Sequence, residues 1–215
     1  MWIAPQLLFM ILVIFVAFIS VLRIPNERWA LRMVLMYLVG MGFVVEAVGN
    51  FMAHQGENNS SLYNAFIPIE FVLVLAVLQR IRPEWNKAWA LCLAVGMLGI
   101  GYCYYKGLGK GFVVAEAALI ISVVLSIGIM AVLWSLANNS TRSLVKLPEF
   151  WLLAGLLLYF GGMVPVIASI RFLFEMDKVL AGKLWLIAPY LCIVRYAFTA
   201  YAAILARRTA PAAHG

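Results

Sequence analysis

Phe112–Ala137 reads FVVAEAALIISVVLSIGIMAVLWSLA, a run in which Glu116 is the one charged residue. A hydrocarbon layer about 30 Å thick is crossed by roughly 20 helical residues, so this run is long enough to span a membrane and too apolar to face water. The same reading, carried outward along the chain, finds six more such runs: Ile3–Leu22, Trp29–Ala53, Leu62–Gln79, Ala88–Tyr105, Glu149–Phe174 and Leu184–Ala206. Composition agrees, because a chain that is 66% hydrophobic and 12% charged, with a mean hydropathy of +1.00, has lipid for its solvent. The expected fold is all-α: one polytopic bundle of seven transmembrane helices over residues 1–215. The apolar start is read as the first anchor and not as a secretory signal, since Met1–Gln6 carries no positive charge and no small-x-small site precedes Arg23.

Orientation follows from where Lys and Arg fall, because cytoplasmic connections retain them. One side collects Arg23, Arg28, Arg32, Arg80, Arg82, Lys87, Arg142, Lys146, Arg207 and Arg208, and the other only Lys106, Lys110, Arg171, Lys178 and Lys183. The N-terminus is therefore expected outside and the C-terminus inside. This sorting also accounts for the formal net charge of +7, which is a topology signal here and not a footprint for nucleic acid. The bilayer is the partner it implies.

The connections are short. Arg80–Lys87 and Asn138–Pro148 on the inner side have no room for a catalytic or nucleotide-binding module, so any signalling output requires a second membrane protein as partner. The longest polar stretch, HQGENNSSLYN at His54–Asn64, lies outside between helices two and three, where it can shape the entrance to a site. No internal repeat of the kind that builds two-fold transporters is evident. Glycines such as Gly42, Gly49, Gly155 and Gly162 serve close helix packing. Pro68, Pro165 and Pro189 are read as interrupting helices three, six and seven, each freeing the carbonyl four residues earlier, at Asn64, Gly161 and Trp185. Tryptophans near the span ends, including Trp29, Trp89 and Trp134, are read as interfacial anchors.

Ionisable groups inside a membrane need a partner or water, and each is a candidate functional residue. Glu46, Asn50 and His54 follow one another at i, i+4 and i+8 along helix two, a polar stripe rising toward the outer surface. Glu70 stands near the middle of helix three, Glu116 about one turn into helix five and Arg195 deep in helix seven. Their depths place a polar pocket in the outer half of the bundle, with Arg195 paired to Glu70 or Glu46. Tyr63, Phe66, Tyr159, Tyr190 and Tyr196 stand at similar depth and can line it. The plainer alternative is that the Arg–Glu pair and the Glu46 stripe only join helices together.

Several chemistries are excluded or disfavoured. Only His54 and His214 are present, so no three-His zinc site can form, and no metal or cofactor is expected. No GxSxG element or Gly-rich phosphate loop appears. Retinal would need a lysine deep in the last helix for a Schiff base, and Arg195 occupies that depth. Cys92, Cys103 and Cys192, odd in number and within apolar spans, are read as small buried hydrophobes.

Two segments, LYNAFIPIEF at Leu62–Phe71 and FWLLAGLLLYFGG at Phe150–Gly162, with Glu46 before them, resemble a group of small multi-spanning proteins of Bacteroidetes-type bacteria. In that group the third helix reads like LYNIYTLIEF and the sixth like FWINSGLLIYFSG. The resemblance covers about a third of the chain by motif and highlights Tyr63, Asn64, Glu70, Trp151, Gly155 and Tyr159. The chain departs from it at Ala65, Phe66, Ile67, Leu153 and Ala154. It implies a multi-pass protein of a bacterial inner membrane and brings no assigned activity.

Four functional readings remain open. The first is a small-molecule-binding receptor or sensory subunit whose outward pocket uses Glu46, Asn50, His54, Tyr63, Asn64, Glu70, Glu116, Tyr159 and Arg195 and whose signal passes to a partner. The second is a structural or assembly subunit of a membrane complex. The third is a proton- or cation-coupled transporter, which the apolar inner halves of helices three to five disfavour. The fourth is an intramembrane enzyme with a Glu/His acid–base pair, which requires His54 within reach of Glu46 or Glu70.

Overall fold

The computed structural model describes residues 5–25, 29–107 and 113–208. Arg28, Lys110 and His214, and the span ends assigned to Ile3 and Phe112, lie outside the described residues. Eight α-helices follow in order: α1 (Pro5–Leu22), α2 (Arg32–His54), α3 (Ser60–Ile81), α4 (Asn86–Gly107), α5 (Ala115–Asn139), α6 (Pro148–Met176), α7 (Lys178–Trp185) and α8 (Ile187–Arg208). Short 3-10 turns at Pro83–Trp85 and Leu144–Lys146 precede α4 and α6, and no strand occurs among the described residues. Seven of the spans are long and apolar enough to cross a membrane, so the fold is that of a multi-pass membrane protein.

The last span, expected over Leu184–Ala206 with an interruption at Pro189, begins earlier, at Lys178. It is broken at Leu186 into the short α7 and the long α8. Its start is set by Asp177, whose side chain accepts hydrogen bonds from the backbone N–H of Val179 and Leu180, at 2.8 and 3.1 Å, and so caps α7 directly after α6. The break falls where Pro189 is expected to interrupt the helix: its ring and missing N–H exclude a bond to the Trp185 carbonyl, so α7 ends at Trp185 and α8 starts afresh at Ile187. Pro189 itself falls in the first turn of α8, where a missing N–H removes no intrahelical bond. Pro68 does stand inside α3, and the Asn64 carbonyl that it frees is taken up by the Tyr104 hydroxyl of α4. Two of the expected tryptophan anchors are instead buried: Trp89 donates to the Arg82 carbonyl, and Trp29 joins the start of α2 to the start of α6 through a 2.8 Å bond to Glu149.

The helices close into a ring. α1 packs on α2, α2 on α3, α3 on α5, α5 on α6, α6 on α8, and α8 back on α1, while α4 lies outside on the seam between α3 and α5. Small residues set the closest crossings. A Cβ on Gly155 of α6 would stand 2.6 Å from the Phe198 Cβ and 3.1 Å from the Arg195 carbonyl of α8, and one on Gly162 would meet Leu191 at 2.9 Å. On the outer helix, Gly96 receives the ring of Phe71 from α3.

The two ends of the ring differ in character. Toward the end carrying Arg32, Arg80, Arg82 and Arg142, the interior is filled by buried aliphatic side chains such as Leu35, Leu78, Ile129, Leu152 and Ala203. This basic end is also tied by hydrogen bonds, among them Arg80 to the Ala30 carbonyl at 2.7 Å. Toward the end where α2 meets α3 and α7 meets α8, the ring is hollow.

Candidate intramembrane binding site

The hollow is a cavity of about 480 Å³ walled by all six helices of the ring and by Trp185 at the end of α7, with no residue from α4. Its lining is mainly apolar. The polar groups converge at its centre from α2, α3 and α8: Glu46, Asn50, Tyr63, Glu70 and Arg195. A drug-sized apolar hollow with a few convergent polar groups is the usual form of a ligand site.

Glycine spacing fixes Glu46. Gly42 and Gly49 are buried on the inner face of α2, one on either side of it. Each receives a tyrosine, Tyr196 from α8 against Gly42 and Tyr63 from α3 against Gly49, where a Cβ would approach the Tyr63 hydroxyl to 2.8 Å. So held, the Tyr63 hydroxyl donates to Glu46 Oε2 at 3.2 Å. Asn50, one turn on, bonds back through Nδ2 to the Glu46 carbonyl at 2.7 Å, and Asn59 likewise donates to the Gly49 carbonyl at 2.9 Å. Both asparagines line the cavity.

Arg195 is placed by the α6–α8 crossing. It is 2% exposed, and its Nη1 donates to Glu70 Oε1 at 2.5 Å, a pair in which both partners are buried. Its other terminal nitrogen has no hydrogen-bond partner. Aromatic rings flank the guanidinium: its carbon lies 4.7 Å from the Tyr159 ring centre, 5.1 Å from that of Tyr196 and 5.3 Å from that of Phe160. Cation–π attraction substitutes in part for the missing acceptor. Between the candidate carboxylates, Arg195 thus takes Glu70.

Of the residues expected from the sequence, Glu46, Asn50, Tyr63, Glu70, Tyr159 and Arg195 meet in the cavity. Three do not. His54, the last residue of α2, is exposed and outside the lining. At 3.6 residues per turn, an i+8 position has rotated by about 80° from the first, and His54 stands beyond the mouth. No Glu/His pair is therefore assembled across the cavity. Glu116 is exposed in the first turn of α5. Asn64 turns to the neighbouring helices, its Oδ1 accepting from the Val114 N–H at 2.9 Å and its carbonyl from Tyr104. Tyr190 is likewise exposed.

Asn59 and Ser122 line the cavity without having been singled out in the sequence. Ser122 and Ser126, four residues apart within α5, are the signal that could have pointed to that face. Among the described residues, no group of three or more His, Cys, Asp or Glu side chains is arranged to hold a metal ion.

Fold and cavity together define the class: a polytopic helical membrane protein with a polar pocket buried in one half of the bundle. No protein-family model, curated protein or solved structure matches the chain.

Proposed function

We propose that this chain is a small-molecule-binding receptor or sensory subunit of a membrane, with its pocket opening to the outside and its signal passed to a partner protein. The observation that carries the proposal is the blind shape of the cavity. Polar groups gather in one half of the ring, and the other half is filled by close-packed aliphatic side chains. A ligand enters and leaves by the same mouth, as binding requires and transport does not. The basic end, rich in arginine, is the cytoplasmic one by the positive-inside rule, which puts the mouth outside. The resemblance to small multi-spanning bacterial proteins supports a place in a bacterial inner membrane.

Native mass spectrometry of protein extracted gently from its host membrane tests the proposal. Ala118 lines the cavity, and Ala118→Trp fills it. A small molecule bound to the unaltered chain and absent from the Trp variant is the expected result. A stoichiometric protein partner retained by both forms, with no small molecule in either, overturns the receptor reading in favour of an assembly subunit.

A further inference from the structure

Two carboxylates and one guanidinium face the cavity, and Arg195 and Glu70 neutralise one another. Glu46 is the carboxyl group without a cationic partner: its side chain accepts from the neutral Tyr63 hydroxyl, and no ion pair forms to it among the described residues. The neighbouring amides reinforce the same polarity. Asn50 and Asn59 each spend one N–H on a backbone carbonyl, and their amide oxygens stand as acceptors beside Glu46. Arg195 is already paired with Glu70, and its unbonded nitrogen is buried in a guanidinium flanked by aromatic rings. The wall of the pocket thus holds one carboxyl group with no cationic partner and acceptor oxygens beside it. An ionised carboxylate in apolar surroundings is costly until a cation meets it.

Building on the reading of the cavity as a binding site, we infer that its ligand is a small amphiphilic monocation of the amine type. Its ammonium sits against Glu46 and donates to the acceptors beside it, and its apolar body lies toward Phe66, Ile67 and Ile121. The cavity volume of about 480 Å³ suits a molecule of that size.

The test uses the purified full chain in detergent and three series of probes, straight-chain amines from butyl to octyl and the alcohols and carboxylates of the same lengths. Binding is read from the shift in thermal unfolding. The amines are expected to bind at least about tenfold more tightly than the matching alcohols, as a charge-assisted contact in a buried site would give. Glu46→Gln removes that preference and makes amine and alcohol equal, whereas Glu116→Gln, at an exposed position, preserves it.

The comparison on the unaltered chain decides the matter even where the Gln variant fails to fold. If alcohols equal amines there, and Ala118→Trp abolishes both, the charge assignment falls and the cavity still stands as a binding site. A preference for carboxylates assigns recognition to Arg195 and also overturns the inference. If all three series behave alike with and without Ala118→Trp, the charge assignment and the binding site both fail.

Discussion

Arg195 shows how few interactions hold the centre of the bundle. Its pair with Glu70 brings modest stability by itself, because both charges are removed from water, but deleting one partner strands the other, at a cost of about 3–5 kcal/mol. Arg195→Ala is therefore expected to lower the unfolding midpoint in detergent sharply, with Glu70→Gln in the same chain recovering part of the loss and Glu46→Gln recovering none. Equal rescue by the two carboxylate variants would mean that the guanidinium is shared between them. That these residues need partners is legible in the sequence, since a charge at mid-membrane depth demands one. Which carboxylate pairs is not legible, because position along a helix gives depth and leaves direction around the bundle axis open. His54 shows the same blindness, on the expected helix but exposed and outside the cavity lining.

At the scale of elements, the crossing of α6 and α8 governs the site. Trp151, Gly155, Tyr159 and Gly162 form one stripe of α6, and each meets α8: Trp151 packs on Phe198 and Tyr201, and Tyr159 covers Arg195. Gly155→Ala puts a methyl group against the Phe198 Cβ and the Arg195 backbone, neither of which can swing aside, and should cost roughly 1–3 kcal/mol. It should also weaken binding in the cavity, since the shift moves the backbone that carries Arg195. An alanine variant with unchanged thermal stability would show that the helices separate freely there. The long spans were legible from hydropathy alone. The break between α7 and α8 was legible too, from Pro189, but the start of α7 at Lys178 was not, because it depends on the local cap that the Asp177 side chain makes.

For the whole molecule, hydropathy gives seven crossings and the basic residues give their sense, but neither gives the order of neighbours around the ring. That order depends on which faces carry the glycines and tyrosines. The sense of insertion can be checked directly. With Cys92, Cys103 and Cys192 replaced by alanine, Asn58→Cys near the cavity mouth should react with a membrane-impermeant maleimide added to intact cells, and Ser143→Cys at the basic end only after the cells are opened. The opposite pattern would turn the pocket to the cytoplasm.

The ring is closed by the contact of α1 with α8, the earliest described helix with the latest. During synthesis the bundle therefore exists as an open arc, and Glu70 enters the membrane 125 residues ahead of the arginine that will neutralise it. Until α8 arrives there is no charge pair and no closed cavity, so a chain cut short before Arg195 leaves Glu70 without its partner.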